Sequence, residues 1–514
     1  MQNRSEPSTR RSHVPVGGAR RKRSNPKALL VVIGIPVVVA AVGVAAVVLW
    51  LQAGPQVSDI EPRLPESVRA PARLTPAPGD VGPGPAQPAA GARTTGPSSA
   101  NRTTTTNSSP AASAGATVPS LPGAWPRFRG PNLDAISPER IALAGSWSSG
   151  GPKKLWSKGL GEGYAGPAVL NSRVYLLDYD QANRADKLLC LALADGSEIW
   201  SQAYPVEVKR NHGMSRTVPT VTDKYVVSLG PKCHVMCCDA VTGSVRWKID
   251  LVSRYGTKVP PWYAGQCPLI DGSSVILAPG GSALMVAVGL ATGQEIWKTP
   301  NPHGWRMTHS SIMPMTFAGK EMYVYPASGG VVGVSAKDGS ILWEVPEWRV
   351  NTANVPSPLP IGDGRIFLCG GYGAGAMMLR LKSAGGKITP SIQYRLKPQV
   401  FGSHQQTPIL YNNHIYGVIP SKELACIDLS GKTLWTSGTS RFGINAYMIA
   451  DGKIYVMSDA GELVMAEASP SGYHELGRAK ILGGAEPWGP LAIAGGRLLA
   501  RDLTSMVCLD VKAN

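Results

Sequence analysis

The stretch LLCLALADGSEIW at residues 188–200 decides how this chain folds. An apolar run enters a turn in which Asp195 offers oxygen to the local backbone and Gly196 accepts a positive φ, and Trp200 follows on the outgoing strand. That is a tight hairpin between two strands. The same Gly-to-Trp spacing of four returns at Gly243 and Trp247, Gly293 and Trp297, Gly339 and Trp343, and Gly431 and Trp435. Each has an apolar run upstream, as at 235–240 and 424–429, and another hairpin signal before that, such as Asp271-Gly272 or Asp451-Gly452. Two hairpins make four strands per unit.

Trp156, Trp200, Trp247, Trp297, Trp343 and Trp435 are separated by 44, 47, 50, 46 and 92 residues, so the last gap hides a unit without its Trp. Tyr394 occupies that place. Blades of about 40 to 50 residues with four strands build β-propellers. Units whose first strands begin at Tyr164, Arg216, Gly265, His309, Val355, Gln405, Asn445 and Trp488 give eight of them. The seventh lacks its Trp near Arg478 and carries a longer turn over 469–473. The eighth runs out of chain before an outer strand, whereas residues 153–160, with Trp156, form an outer strand without inner partners. Pairing the two closes the ring and removes two exposed edges. The expected fold is all-β: an eight-bladed β-propeller closed by an N-terminal strand. One Trp between each pair of neighbouring blades, burying about 200 Å² apiece, fixes the spacing.

The amino-terminal part has a different character. Residues 1–27 carry eight Lys or Arg against one Glu and read as a basic cytoplasmic tail. Residues 28–51 contain no charge and end near Trp50, enough to span a bilayer as a transmembrane helix with the basic cluster on the cytoplasmic side. A cleaved signal peptide ending near Ala53 is the competing reading, and it calls for an apolar core shorter than this one. Residues 52–122 are rich in Pro, Ala, Thr and Ser and form an expected disordered linker, which leaves 123–514 for the propeller. Of the formal charge of +17, the tail accounts for +7 and the linker for +1, so about +9 is spread over the remaining residues. That field is too weak to indicate a nucleic-acid partner. The expected location is the cytoplasmic (inner) membrane, as a single-pass signal-anchor protein with its propeller periplasmic or otherwise extracytoplasmic.

Units of the form Asp-x-x-x-Gly-x-x-x-Trp, as over 239–247, resemble the repeats of the quinoprotein (PQQ) alcohol-dehydrogenase-like propellers. The segment WPRFRG at 125–130, followed by Pro131 and Asn132 and later by Leu155-Trp156, is similar to bacterial PQQ-binding-like propeller repeat proteins, relatives of the BamB-type assembly lipoprotein. The resemblance spans residues 124–514 and implies the eight-bladed fold of quinoprotein type; the repeat marks architecture, and many members carry no cofactor.

Enzymes of this resemblance need calcium over the quinone, an Asp base and often a vicinal Cys pair. Cys237 and Cys238 are adjacent, but Cys237 shares its repeat position with Cys190, Cys426 and Cys508, where an alternating strand wants a small apolar side chain. Packing explains them, and buried free thiols are expected, with Cys233 and Cys267 left open. No His pair has zinc spacing, so no metal site is expected. Ligands of propellers bind where the innermost strands begin, which singles out Tyr164, Arg216, His309, Gln405, Asn445 and Trp488, with Asn354 and His404 adjacent. That set holds no carboxylate, hence no evident general base and no catalytic residue. The expected role is a non-enzymatic binding or scaffold module for a protein, peptide or polysaccharide partner, with no cofactor; the alternative is a PQQ- and calcium-dependent dehydrogenase.

Overall fold

The computed structural model describes residues 119–513 apart from residue 211. The tail, the apolar run and nearly all of the linker lie outside the described residues. Among the described residues no helix is long and apolar enough to cross a membrane.

Eight four-stranded antiparallel sheets follow one another as blades, in strand order within each sheet except at the closure. Blade 1 runs from Ala168 to Pro205, blade 2 from Thr220 to Asp250, blade 3 from Leu269 to Pro300 and blade 4 from Met313 to Val345. Blade 5 runs from Leu359 to Leu396, blade 6 from Ile409 to Thr436 and blade 7 from Tyr447 to Lys480. Blade 8 takes three strands from Ala492 to Asp510 and its outer strand from Lys153–Gly159, with Trp156 opposite Cys508. The ring therefore closes as expected, by two ends of the domain sharing one sheet.

The Gly-to-Trp repeat works across blade boundaries. Gly196, Gly243 and Gly293 have φ of 74°, 75° and 67°, which an L side chain rarely tolerates, and a Cβ on any of them would lie within 2.8 Å of the preceding blade's Trp ring. Each Trp thus lies on the bare turn of the next blade. The indole N–H of Trp156 donates to Leu193 O at 3.0 Å, that of Trp200 to Ala240 O at 3.3 Å and that of Trp247 to Leu290 O at 2.8 Å. Cys190, Cys237, Cys426 and Cys508 stand directly opposite Trp200, Trp247, Trp435 and Trp156 in the ladders. All eight cysteines are free and buried. Burial pushes the Cys237 and Cys238 thiols up to about 12, so they are inert fillers.

Other junctions depart from this rule, and at Trp435 the indole N–H donates to Ser469 O at 2.9 Å with no glycine of the described residues against the ring. Tyr394 replaces Trp in blade 5 as the spacing predicts, donating its hydroxyl to Leu429 O at 3.2 Å. Trp343 corrects the expectation of one uniform dock, because its N–H goes to the Met322 sulfur of its own blade at 3.4 Å. The strand residue opposite it is Gly333, whose missing side chain admits the ring, and blade 5 answers with a long hairpin over 375–396 instead of the short glycine turn. In blade 7 the empty position is Gly477, one residue before the predicted Arg478.

Residues 121–147 form a strap across the ring before the closing strand begins. Leu121 N donates to Ser172 Oγ of blade 1 at 2.7 Å, and Trp125 exchanges two bonds of 2.8 Å with Val169. Val221 N of blade 2 donates to Pro126 O, and Arg127 reaches Ile270 O of blade 3 at 3.3 Å. Arg129 is buried and satisfies the carbonyls of Thr407 and Pro408, both at 3.0 Å, just ahead of blade 6. Ser137 N then bonds Ile449 O of blade 7, and Ala144 N bonds Val511 O beside blade 8. Trp147 ends the strap against Gly477, its ring 6.3 Å from that of Tyr455.

Candidate functional site at the axial mouth

The innermost strands begin at Ala168, Thr220, Leu269, Met313, Leu359, Ile409, Tyr447 and Ala492. The starts expected from sequence lie four residues earlier in every blade but the seventh, where the offset is two. This shift is a correction with a simple cause: near the axis the lead-in residues bond to the neighbouring lead-in segment, as Tyr164 N does to Ser215 O at 2.6 Å, rather than to their own blade. Freed from the ladder, their side chains turn toward the mouth.

Five of the eight predicted residues meet there. Tyr164, Arg216, His309, Gln405 and Trp488 line one axial cavity of about 260 Å³. His404 lies in a second cavity of about 530 Å³ that shares Tyr372, Ile444 and Trp488 with the first. Asn354 and Asn445 line neither. Asn354 is fully buried with no hydrogen-bond partner for either amide atom, while Asn445 ties its own turn by donating to Phe442 O at 2.6 Å and Asp459 Oδ1 at 2.9 Å.

The chemistry of the first cavity is aromatic with one permanent cation. The Tyr164 and Trp488 rings lie 4.9 Å apart, and the Arg216 guanidinium stacks over Tyr164 at 5.1 Å. Burial pulls the Arg216 pKa down to about 10, so it stays charged at neutral pH at the expense of lost hydration. Burial, reinforced by the bonded Glu486 carboxylate, raises the Tyr164 phenol. In the second cavity burial lowers the His404 imidazole, whose ring meets Tyr372 edge-on at 5.2 Å.

Sequence reasoning missed several members. Phe128 comes from the strap and lines the cavity. His212 and Trp262 come from the long connections into blades 2 and 3, and Tyr372 from a blade 5 hairpin. The expectation that the mouth lacks a carboxylate is also corrected, since Glu486 bonds Tyr164 and lines the second cavity. It arrives from the loop before blade 8, where it has positive φ and no repeat position marks it.

Comparison with known proteins agrees with this architecture. Residues 184–436 match the family model of the outer membrane protein assembly factor BamB. The chain carries a BamB-like, PQQ-repeat propeller. It is 22% identical over 332 residues to the BamB of Moranella endobia, covering 62% of this chain and 70% of that protein. Among solved structures, the quinohemoprotein alcohol dehydrogenase ADHIIG of Pseudomonas putida superposes with a TM-score of 0.54 at 12% identity, over 77% of this chain and 81% of that one; at that identity the likeness shows the fold. BamB of Moraxella catarrhalis gives 0.48 at 13% identity, over 70% and 99%.

Quinone and calcium make definite demands on such a BamB-like propeller. A calcium cage takes six to eight oxygens, several of them carboxylate. No residue lining the axial cavity is a carboxylate, Glu486 is engaged by Tyr164, and the Gln406 amide donates to Trp488 O at 3.3 Å. Cys237 and Cys238 lie within a strand of blade 2. Among the described residues no three His, Cys, Asp or Glu converge as metal ligands. This donor set does not fit the pair.

Proposed function

We propose that the chain is a membrane-anchored, extracytoplasmic binding module that holds a protein partner on the mouth face of its propeller. The observation that carries this reading is the pair of adjoining, aromatic-rich cavities at the mouth, which share Tyr372, Ile444 and Trp488. Aromatic side chains presented on a rigid frame give much contact area for little ordering entropy, the usual basis of an interface hot spot. The BamB family match supports a protein over a polysaccharide as the partner. The anchor rests on residues 28–51, with the basic cluster before them setting the orientation.

A photocrosslinking residue placed at Tyr372, 46% exposed on the mouth face, should yield an adduct with a cell-surface protein when the full chain is expressed in its own cell. The same residue at Val241, 53% exposed on a blade 2 turn remote from the mouth, should not. Adducts from Val241 alone, or from neither position, sink the assignment of the mouth face. Saturating PQQ with calcium should leave the melting temperature unchanged; a saturable rise would favour the dehydrogenase reading instead.

A further inference from the structure

Beside the mouth, where blades 1, 2 and 3 follow one another, four lysines come together. Lys209 lies in the connection from blade 1 to blade 2, Lys232 in the loop between the second and third strands of blade 2, Lys248 on that blade's outer strand Val245–Asp250, and Lys258 in the connection to blade 3. Tyr263 ties three of these stretches. Its hydroxyl donates to Lys209 O at 2.6 Å, Lys232 Nζ lies 5.4 Å from its ring, and Ala264 N next to it donates to Pro231 O at 3.0 Å. Val208 and Val259, the chain neighbours of Lys209 and Lys258, pack with Tyr263 in one small apolar cluster. Lys248 Nζ lies 5.2 Å from the ring of Tyr204, which is itself 5.3 Å from His234 of blade 2. An ammonium over a ring face is held by the ring quadrupole, so two of the four charges are placed before any partner arrives.

Their charge is not matched within the chain. Among the described residues none of the four is in an ion pair, whereas Arg184 and Arg210 nearby pair with Glu207 at 3.7 Å and with Glu162 at 2.7 Å. Asp250, at the end of the strand that carries Lys248, accepts Val252 N at 2.8 Å and caps the short helix Leu251–Tyr255. Lys209, Lys248 and Lys258 are exposed and Lys232 is half-buried. Such a group raises a local positive potential that the modest charge of the whole propeller conceals. Binding at a lipid surface adds insertion of apolar side chains to charge attraction. Among the described residues no large apolar side chain of the stretches 206–212, 230–233 and 256–264 is exposed, which favours a polypeptide over a bilayer. Trp262, next in the chain to Tyr263, lines the axial cavity, so a segment crossing the lysines reaches the aromatic mouth.

We propose that Lys209, Lys232, Lys248 and Lys258 dock an acidic segment of the protein partner, a run of Asp or Glu. This rests on the mouth-face reading above and supplies the partner's chemistry.

The test uses the full chain in detergent and a fluorescein-labelled decaglutamate peptide, read by anisotropy at about 50 mM salt, where screening is weak. Replacing the four lysines by Gln should weaken binding roughly tenfold or more, as expected for the loss of several exposed pairs, at an unchanged melting temperature. The control removes the same charge from exposed lysines elsewhere, by Lys154→Gln, Lys337→Gln, Lys387→Gln and Lys432→Gln, and should bind like the parent. Should loss of the ring-stacked Lys232 and Lys248 lower the melting temperature, Lys209→Gln with Lys258→Gln alone should still weaken binding severalfold. No binding at about 1 mM peptide, or an equal loss in the control, overturns the proposal. So does tighter binding of polygalacturonate of equal charge, which would make the ligand an acidic polysaccharide. Capture by phosphatidylglycerol vesicles of a chain that ignores the peptide overturns it too, in favour of a lipid surface. Crosslinking at Tyr372 that persists through such a failure leaves the mouth-face reading standing and sinks this inference alone.

Discussion

Blades 1 and 7 meet the same packing demand with chain from different places. In blade 1, Trp200 comes from the blade's own outer strand, lies 6.0 Å from the Tyr175 ring, and seats on Gly243 of the next turn. In blade 7 the corresponding strand position is Gly477, and the ring near Tyr455 is Trp147, delivered by the strap. The position is a property of the closed disc, so a repeat can lose its signature residue wherever another segment passes close enough to replace it. Blade 1 thus supplies its outer-strand ring from its own chain, whereas blade 7 takes the corresponding ring from the strap.

The strongest way to break that comparison is to remove residues 1–160. Blade 8 would lose its outer strand and blade 7 its borrowed ring together, and the remaining chain should show no cooperative thermal transition by circular dichroism. A sharp melt would mean that closure is dispensable. Next in size is Trp200→Ala, which empties a buried inter-blade site and should cost about 3–5 kcal/mol in denaturant unfolding.

Blade 1 also carries a titrating group. Asp186 is 1% exposed, accepts the Tyr204 hydroxyl at 2.6 Å, and is pushed up by burial to about 7. The folded state keeps its proton while the unfolded chain releases it above about pH 4, so stability should fall as pH rises from about 4 to about 7 and level off above that. The contribution is on the order of a few kcal/mol, and Asp186→Asn should flatten the slope of unfolding midpoint against pH. An unchanged slope in that variant would place the titration elsewhere. Blade 7 begins the matching strand with Glu462, paired at the surface with Arg478 at 2.9 Å.

The smallest effect should come from Trp147→Ala. This ring is only half-buried and its indole N–H has no partner, so about 1–2 kcal/mol is expected. Amide hydrogen exchange should then speed up in blade 7 before it does in blade 1. Uniform acceleration would show that the strap stabilises the disc as a whole.

The blade count could be read from sequence because a turn glycine and a Trp at fixed spacing report a contact made identically at several junctions. Closure could be read from Trp156, an outer strand with nothing before it to pair with. The mouth was legible only in part. Tyr164, Arg216, His309, Gln405 and Trp488 share a register four residues ahead of their strands, so one pattern finds all five. Phe128, His212, Trp262, Tyr372 and Glu486 come from a strap, loops and a hairpin, where no period links position to direction. Asn354 and Asn445 share the register roughly, but their side chains turn into packing and a local turn. Trp343 misled for a related reason: the glycine that redirects its ring, Gly333, lies on a neighbouring strand rather than at the turn.

The strap also determines how tension would enter this molecule. A pull on the chain ahead of Leu121 is met at blade 1 by two antiparallel bonds at Trp125, at blade 2 through Pro126, at blade 3 through Arg127 and near blade 6 through the guanidinium of Arg129. Those attachments lie at intervals around the ring, so load would be shared in shear by several sectors instead of unzipping a single strand, a favourable arrangement for a disc tugged from one end.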